Sequence, residues 1–563
     1  MYRQVVGVLC CTVLSVGMTG CYQSHLRDAD GGPRDDARTP GEPEDARVSR
    51  DLSADLPGVL SHPDGGLPVD ITYFKPSNTG AGDGFGWALA QSNSWNGFLL
   101  VGAPFEDSHG TGLGGGDPSD NSVSDSGAVY AFYYSSASAS QSFIAKASNT
   151  GAGDHFGWAV SAADYGASFA VGAPGEASTA RGVDGDQSSD GAPGSGAVYV
   201  FMMDPDTGLA PVVYLKASNS SGTIGGMFGD EFGCSVSMSA DGQRVAVGAR
   251  YESSRATGVG GDQSNDAAPR SGAVYVFARS GMRWTQEAYI KPSNTAPGQL
   301  FGSALALSAD GTRLLVGAPG EDSIATGVGG DARAHGAPES GAAYVFARSG
   351  SSWTQDVYIK ASNTGAGDRF GTAVSMAAAG DWLVVGAPGE DSDAIGAGGD
   401  QASDRASDSG AVYVFARASV WAQVAYLKAS NTGAGDNFGA TLSFAEALES
   451  RVLAVGAPGE SSIAVGIDGD ERDDTSPHAG AAYVFALGGA EWVEQSYFKT
   501  LSNSPGDQFG ASISLAGDPV NSNLVVGVPF EDSATFYIDG LLGGETAPDS
   551  GAVFGYRTER PGR

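Results

Sequence analysis

Four short runs of apolar and β-branched residues recur along this chain in a fixed order, separated by Gly, Pro, Asn, Asp and Ser. The order repeats seven times. The fifth copy shows the runs cleanly. Phe370-Gly-Thr-Ala-Val-Ser-Met alternates small apolar and polar residues, the pattern of a strand with one covered face. Trp382-Leu-Val-Val-Gly-Ala-Pro is continuously apolar, as in strands buried on both faces. Gly410-Ala-Val-Tyr-Val-Phe-Ala and Trp421-Ala-Gln-Val-Ala-Tyr-Leu-Lys complete the unit. Successive Phe-Gly pairs are 71, 76, 69, 69, 68 and 71 residues apart, with no helical pattern between them. The pattern predicts an all-β fold, a seven-bladed β-propeller of four-stranded blades.

The ends favour a closed ring over an open solenoid. Ile71-Thr-Tyr-Phe-Lys-Pro-Ser reads as a fourth strand without its first three, and Gly551-Ala-Val-Phe-Gly-Tyr as a third strand with no fourth after it. Together they make one blade. The N-terminal strand is therefore expected to complete blade seven and remove a sheet edge.

Composition agrees with many short elements and tight turns: 86 glycines and only 17% charged residues. The formal net charge of −34 speaks against nucleic acid or anionic lipid as a partner and favours cations or basic surfaces. Much of it is concentrated between strands two and three of each unit, in loops from Glu106, Glu176, Glu252, Glu321, Glu390, Glu460 and Glu531 to the residue before the third strand. The first loop has 21 residues and the others 20, and together they hold 33 of the 65 acidic residues but 6 of the 31 lysines and arginines. Antiparallel pairing places these loops and the linkers between blades on one face of the disc, which should be strongly negative. Constant loop length, where insertions are normally tolerated, suggests ordered loops.

All seven lysines occupy one slot of the repeat: Lys75, Lys146, Lys216, Lys291, Lys360, Lys428 and Lys499. A residue type confined to one slot is architecture first. It would pair with the loop-leading glutamate, within or between blades, or else guard the outer strand against pairing with other chains. Both roles are structural.

Within the loops, Asp184, Asp186 and Asp190, Asp262 and Asp266, Asp400 and Asp404, and Asp468, Asp470 and Asp474 surround Gly turns. Several such oxygens could cage calcium, which takes six to eight oxygen ligands. The competing reading is that Asp caps turns through its side-chain oxygen. Blade seven departs at the loop centre, where Phe536 and Tyr537 put aromatic side chains on a polar face, a candidate contact patch for a partner. Blade three carries an insertion at 222–229.

The N-terminus reads as an export signal over residues 1–20, with Arg3 ahead of the apolar stretch from Val5 to Met18. Met18-Thr-Gly-Cys21 resembles the lipobox of bacterial lipoproteins, with Met where Leu is usual, which implies lipid on Cys21. Residues 21–70 then form a lipidated, Pro-rich, disordered linker ahead of the propeller at 71–563. The expectation is an exported monomer, anchored at the outer membrane or cell surface by lipid alone, otherwise extracellular.

No catalytic constellation stands out. His109, His155, His335 and His478 fall at non-equivalent positions and read as surface loop residues, and Cys234 as a small buried residue at a strand start. Acid pairs repeat from blade to blade, whereas one catalytic centre would need a departure from the repeat.

Phe-Gly followed by Val-Gly-Ala-Pro in successive units resembles the FG-GAP repeats of the integrin α-subunit propeller, and more closely the FG-GAP proteins predicted in bacteria, over roughly residues 71 to 556. Departures are Arg250, where Pro is expected, and Val528, where Ala is expected. The calcium loop of several integrin blades, Asp-x-Asp-x-Asp-Gly-x-x-Asp between strands one and two, is missing, so those sites are not carried over. The resemblance implies a non-enzymatic binding or adhesion propeller for a protein or glycan, with calcium as a possible aid. The alternatives are a secreted hydrolase or lyase acting on polysaccharide in the central channel, and a purely structural envelope protein.

Overall fold

The computed structural model describes residues 69–558 apart from 93–97, 116–118, 136–137, 165–167, 203–211, 223–228, 448–449, 519–520, 535–537 and 539–545. The export signal, Cys21, most of the linker, most of the blade-three insertion, and Phe536 and Tyr537 lie outside the described residues.

Seven antiparallel sheets of four strands follow one another around a ring, and blade one adds a two-residue strand, Gly112–Leu113, along its outer edge. In blade five the strands are Ala373–Met376, Trp382–Ala387, Ala411–Arg417 and Trp421–Leu427. First strands are neighbours all the way round: Ala88–Ser92 lies beside Ala159–Ala162 on one side and Ser512–Asp518 on the other. They therefore line the axis. Val69–Phe74 pairs antiparallel with Ala552–Thr558, from Val69 opposite Thr558 to Phe74 opposite Val553, and closes blade seven as expected.

The first strand of blade five begins three residues later than the alternation suggests, because Phe370 and Gly371 form its entry turn. The Phe370 ring is fully buried, edge-on to Tyr413 at 5.3 Å and to Phe415 at 6.2 Å. Burying such a ring is worth about 1.5–3 kcal/mol. Gly371 has φ +94, and a Cβ there would lie 2.4 Å from the Ala342 carbonyl of the preceding blade. A Cβ on Gly317, in the second strand of blade four, would lie 2.0 Å from the Gly371 carbonyl. The Gly of Phe-Gly and the Gly of Val-Gly-Ala-Pro are thus partners across each seam, where backbones meet without side chains between them. A Cβ on Gly527 would likewise lie 2.1 Å from the Gly86 carbonyl, so the closing seam is built like the others.

Candidate functional site

The acidic loops are pinned along their length. In blades two to six the loop crosses its own fourth strand through a single bridge, as Val259 to Ile290, Val328 to Ile359 and Ile467 to Phe498, and in blade one through the two residues Gly112–Leu113. Linker amides then reach loop carbonyls: Gly367 N donates to Pro338 O at 2.9 Å and Arg369 N to Glu339 O at 2.9 Å. Loops and linkers therefore share one face, and the constant loop length follows from these fixed crossings.

Beneath this face lies a repeated buried ion pair. Lys146 Nζ sits 2.7 Å from Glu106, Lys216 2.7 Å from Glu176, Lys291 2.8 Å from Glu252 and Lys360 3.0 Å from Glu321. Lys428 is 2.8 Å from Glu390, Lys499 2.8 Å from Glu460, and Lys75, on the closing strand, 2.8 Å from Glu531. Every pair lies within one blade. The lysines are buried, so they do not guard an outer edge; the fourth strand carries each one inward over its glutamate. Burial lowers the lysine amines from their usual value, and the paired glutamates oppose that shift.

Six of the seven glutamates, all but Glu531, also serve the seam. Asn149 Nδ2, in the linker leaving blade one, donates to Glu176 Oε1 at 2.9 Å, and Asn431 Nδ2 to Glu460 Oε1 at 2.9 Å. The Asn carbonyls accept from third-strand tyrosines, as Tyr413 to Asn363 at 2.6 Å and Tyr483 to Asn431 at 2.6 Å. Further along six of the seven linkers a buried acid caps the turn, as Asp368 accepting from Gly365 N at 2.7 Å. Burial, chiefly, pushes the carboxyls of Asp83, Asp154, Asp368 and Asp436 up to about 7 and that of Asp230 to about 8. Blade four uses the neutral Gln299 for the same cap, accepting from Ala296 N at 2.9 Å.

The loop aspartates considered for calcium are exposed and spread over four blades. Asp184 Oδ1 accepts from Tyr214 N at 3.1 Å and Asp468 Oδ1 from Tyr497 N at 2.9 Å, each on the fourth strand. Asp186, Asp262, Asp400 and Asp470 cap the amide two residues on, at 3.0, 2.9, 3.0 and 3.3 Å. Asp190, Asp266, Asp404 and Asp474 point from the surface. Among the described residues, no three His, Cys, Asp or Glu side chains come together to hold a metal ion.

The structure also gathers aromatic residues at the axial end of this face. Trp87 and Trp158 directly follow Phe-Gly, where the other blades have Cys234, Ser303, Thr372, Ala440 and Ala511. Phe105 and Phe530 directly precede the loop glutamate, where blades two, four, five and six have Gly175, Gly320, Gly389 and Gly459. Trp87 lies 4.8 Å from Trp158, 5.1 Å from Phe105 and 6.4 Å from Phe530 between ring centres. His155 stands 5.5 Å from Phe105 and 5.8 Å from Trp158, half-buried with its pKa lowered by burial. It is not the loose surface residue its position suggested. Trp87, Phe105 and Phe530 remain partly exposed, forming a crescent over blades seven, one and two. Reading each repeat for what it shares hid this feature; aligning the two positions across blades would have revealed it.

Arg250, which stands where Pro is expected, has Glu231 as its counterion. It is buried with Nε and Nη2 both 2.7 Å from Glu231 Oε2, and its guanidinium lies 5.0 Å from the Tyr251 ring centre. His335 and His478 are exposed loop residues, as expected, and Cys234 is a buried free thiol.

No curated protein matches the chain. Three consecutive stretches, residues 225–277, 284–346 and 353–415, match the FG-GAP repeat. With the same glycine seams and lysine–glutamate pairs in the remaining blades, the chain is a seven-bladed β-propeller that carries FG-GAP repeats.

Proposed function

We propose that this protein is a non-enzymatic, adhesion-type binding propeller that engages a basic protein partner on its acidic loop face, with the aromatic crescent as the contact. The FG-GAP propeller fold supports a binding role in general. The observation that carries the finer reading is the crescent itself: partly exposed Trp87, Phe105 and Phe530 interrupt the sevenfold repeat on the face whose loops hold most of the negative charge. Aromatic faces among carboxylates attract cationic side chains, and a break in the repeat is where specificity can reside. Calcium enters as a counterion shared over the face, because the aspartate oxygens are engaged in turns. In this reading Cys21 carries lipid and residues 22–68 hold the disc away from a membrane.

Arrays of proteins and glycans probed with the purified protein, at low and high salt, test the reading. A basic protein retained at low salt and lost in the Trp87→Ala/Phe105→Ala variant is the expected result. Retention of neutral glycans by parent and variant alike would overturn it, and polysaccharide cleavage would favour a hydrolase or lyase.

A further inference from the structure

Glu494, on the outer strand Glu491–Phe498 of blade six, changes the chemistry of a recurring seam. In blade three, Gln286 Nε2 donates to Ser218 Oγ at 3.1 Å, and Ser218 Oγ donates to Gln263 Oε1 at 2.5 Å. In blade five, Gln423 Nε2 donates to Ser362 Oγ at 3.1 Å and Ser362 Oγ to Gln401 Oε1 at 2.5 Å. These neutral chains tie the incoming linker to both the fourth strand and the acidic loop.

Blade six has a carboxyl in place of each amide. Ser430 Oγ lies 2.8 Å from Glu494 Oε1 and 2.9 Å from Glu471 Oε2. A hydroxyl has one hydrogen and cannot donate fully to both oxygens. The chains in blades three and five require a donor on the fourth strand, and a carboxyl fills that place only with its own proton. Glu494 Oε2 is buried with no hydrogen-bond partner, as are Gln286 Oε1 and Gln423 Oε1, so the three side chains sit alike. We propose that blade six is closed by a proton-held clasp, Glu494 O–H to Ser430 O–H to the Glu471 carboxylate, which frees its acidic loop from the outer strand as pH rises from acidic to neutral.

The surroundings favour a retained proton. Burial raises Glu494 to about 7, with Glu471 and Asp468 adding to the rise and the hydroxyl and amide of Ser430 opposing it. Glu471 is also raised, by burial first and then by Glu460 and Asp468, against Ser430 and the cation of Arg472. The clasped carboxyl thus binds its proton more tightly than an open one, whose pKa is about 4.3. The clasp is strongest below the open value, weakens by up to about tenfold per pH unit up to about 7, and changes no further above that. The released proton goes to solvent.

Hydrogen exchange read by mass spectrometry on the full chain, corrected for intrinsic rates, tests this between about pH 5 and about pH 7. Opening of the blade-six loop should rise at least tenfold over that range, while the blade-five loop, closed by Gln401 and Gln423, stays level. Glu494→Gln should flatten the blade-six response, and Gln423→Glu should create one in blade five. Equal pH responses of the two loops in the parent would overturn the clasp, as would an unchanged response in either variant. If Glu494→Gln fails to fold, the parent comparison and Gln423→Glu still decide.

Discussion

Asn363, in the linker leaving blade four, donates through Nδ2 to Glu390 Oε1 of blade five at 2.9 Å, while Glu390 Oε2 holds Lys428 at 2.8 Å. One carboxylate therefore neutralises a buried cation and fixes the preceding linker. Removing the cation leaves that carboxylate buried without a countercharge, which costs about 3–5 kcal/mol. Lys428→Met should lower the urea midpoint accordingly, and Lys428→Met/Glu390→Gln should recover much of the loss. A single variant unfolding at the parental midpoint would show that the pair does not hold the blade.

Blade six supplies a complementary case. In six blades a serine hydroxyl also accepts from the lysine, as Ser409 from Lys428 and Ser340 from Lys360, both at 2.7 Å. Blade six has Ala479 there, fully buried. Ala479→Ser should add a hydrogen bond to Lys499 worth about 1 kcal/mol. Calorimetry should show a higher Tm, and a lower one would mean that the pocket in blade six lacks room for the hydroxyl.

The parts of the fold that repeat were legible in the residues, because each seam imposes the same constraint seven times. Ring closure followed from two incomplete blades, and the single lysine slot beside the loop-leading glutamate allowed the pairing of Lys360 with Glu321 as one of two roles. What remained hidden was depth. Nothing in the spacing told that Lys360 is buried, since an amphipathic lysine near a strand end serves equally at an edge. The crescent of Trp87, Phe105, Trp158 and Phe530 was missed for the opposite reason: its members occur in some blades and lie far apart in sequence. The loop aspartates read as candidate ligands because they recur around Gly turns, whereas the hydrogen bonds of Asp184 and Asp468 to fourth-strand amides depend on the path of the loop.

The capping acids give the fold a defined pH response. Asp368 is held near 7, above its ordinary value of 3.8. A raised acid pKa means that the folded state binds the proton more tightly, so stability falls as pH rises from about 4 to about 7 and then levels. The shift bounds the contribution of this one group at about 4 kcal/mol. Asp368→Asn keeps an acceptor for Gly365 N, much as Gln299 does for Ala296 N. The variant should be more stable than the parent at about pH 8 and match it at about pH 4. Urea titrations at both pH values check this, and a variant destabilised at both would show that the anion is needed for the cap.

Blade seven shows two departures that make sense together. Phe554 stands where six blades have a tyrosine that donates to a linker asparagine, as Tyr344 to Asn294 at 2.8 Å. In the linker entering blade seven the asparagine comes four residues after the lysine instead of three, and Asn503 donates to Ser462 O at 2.8 Å and Ala464 O at 2.9 Å. A hydroxyl at position 554 would find no asparagine carbonyl in its usual place. Phe554→Tyr should therefore cost about 1–3 kcal/mol, the penalty of a buried unpaired polar group. Adding Ser502→Asn places an amide three residues after Lys499, the register of the other blades, and should recover part of that cost. Thermal unfolding of the single and double variants distinguishes the cases. If Phe554→Tyr is neutral alone, or Ser502→Asn rescues nothing, the two departures are independent and the seam of blade seven is held by its glycines and by the pair of Lys75 with Glu531.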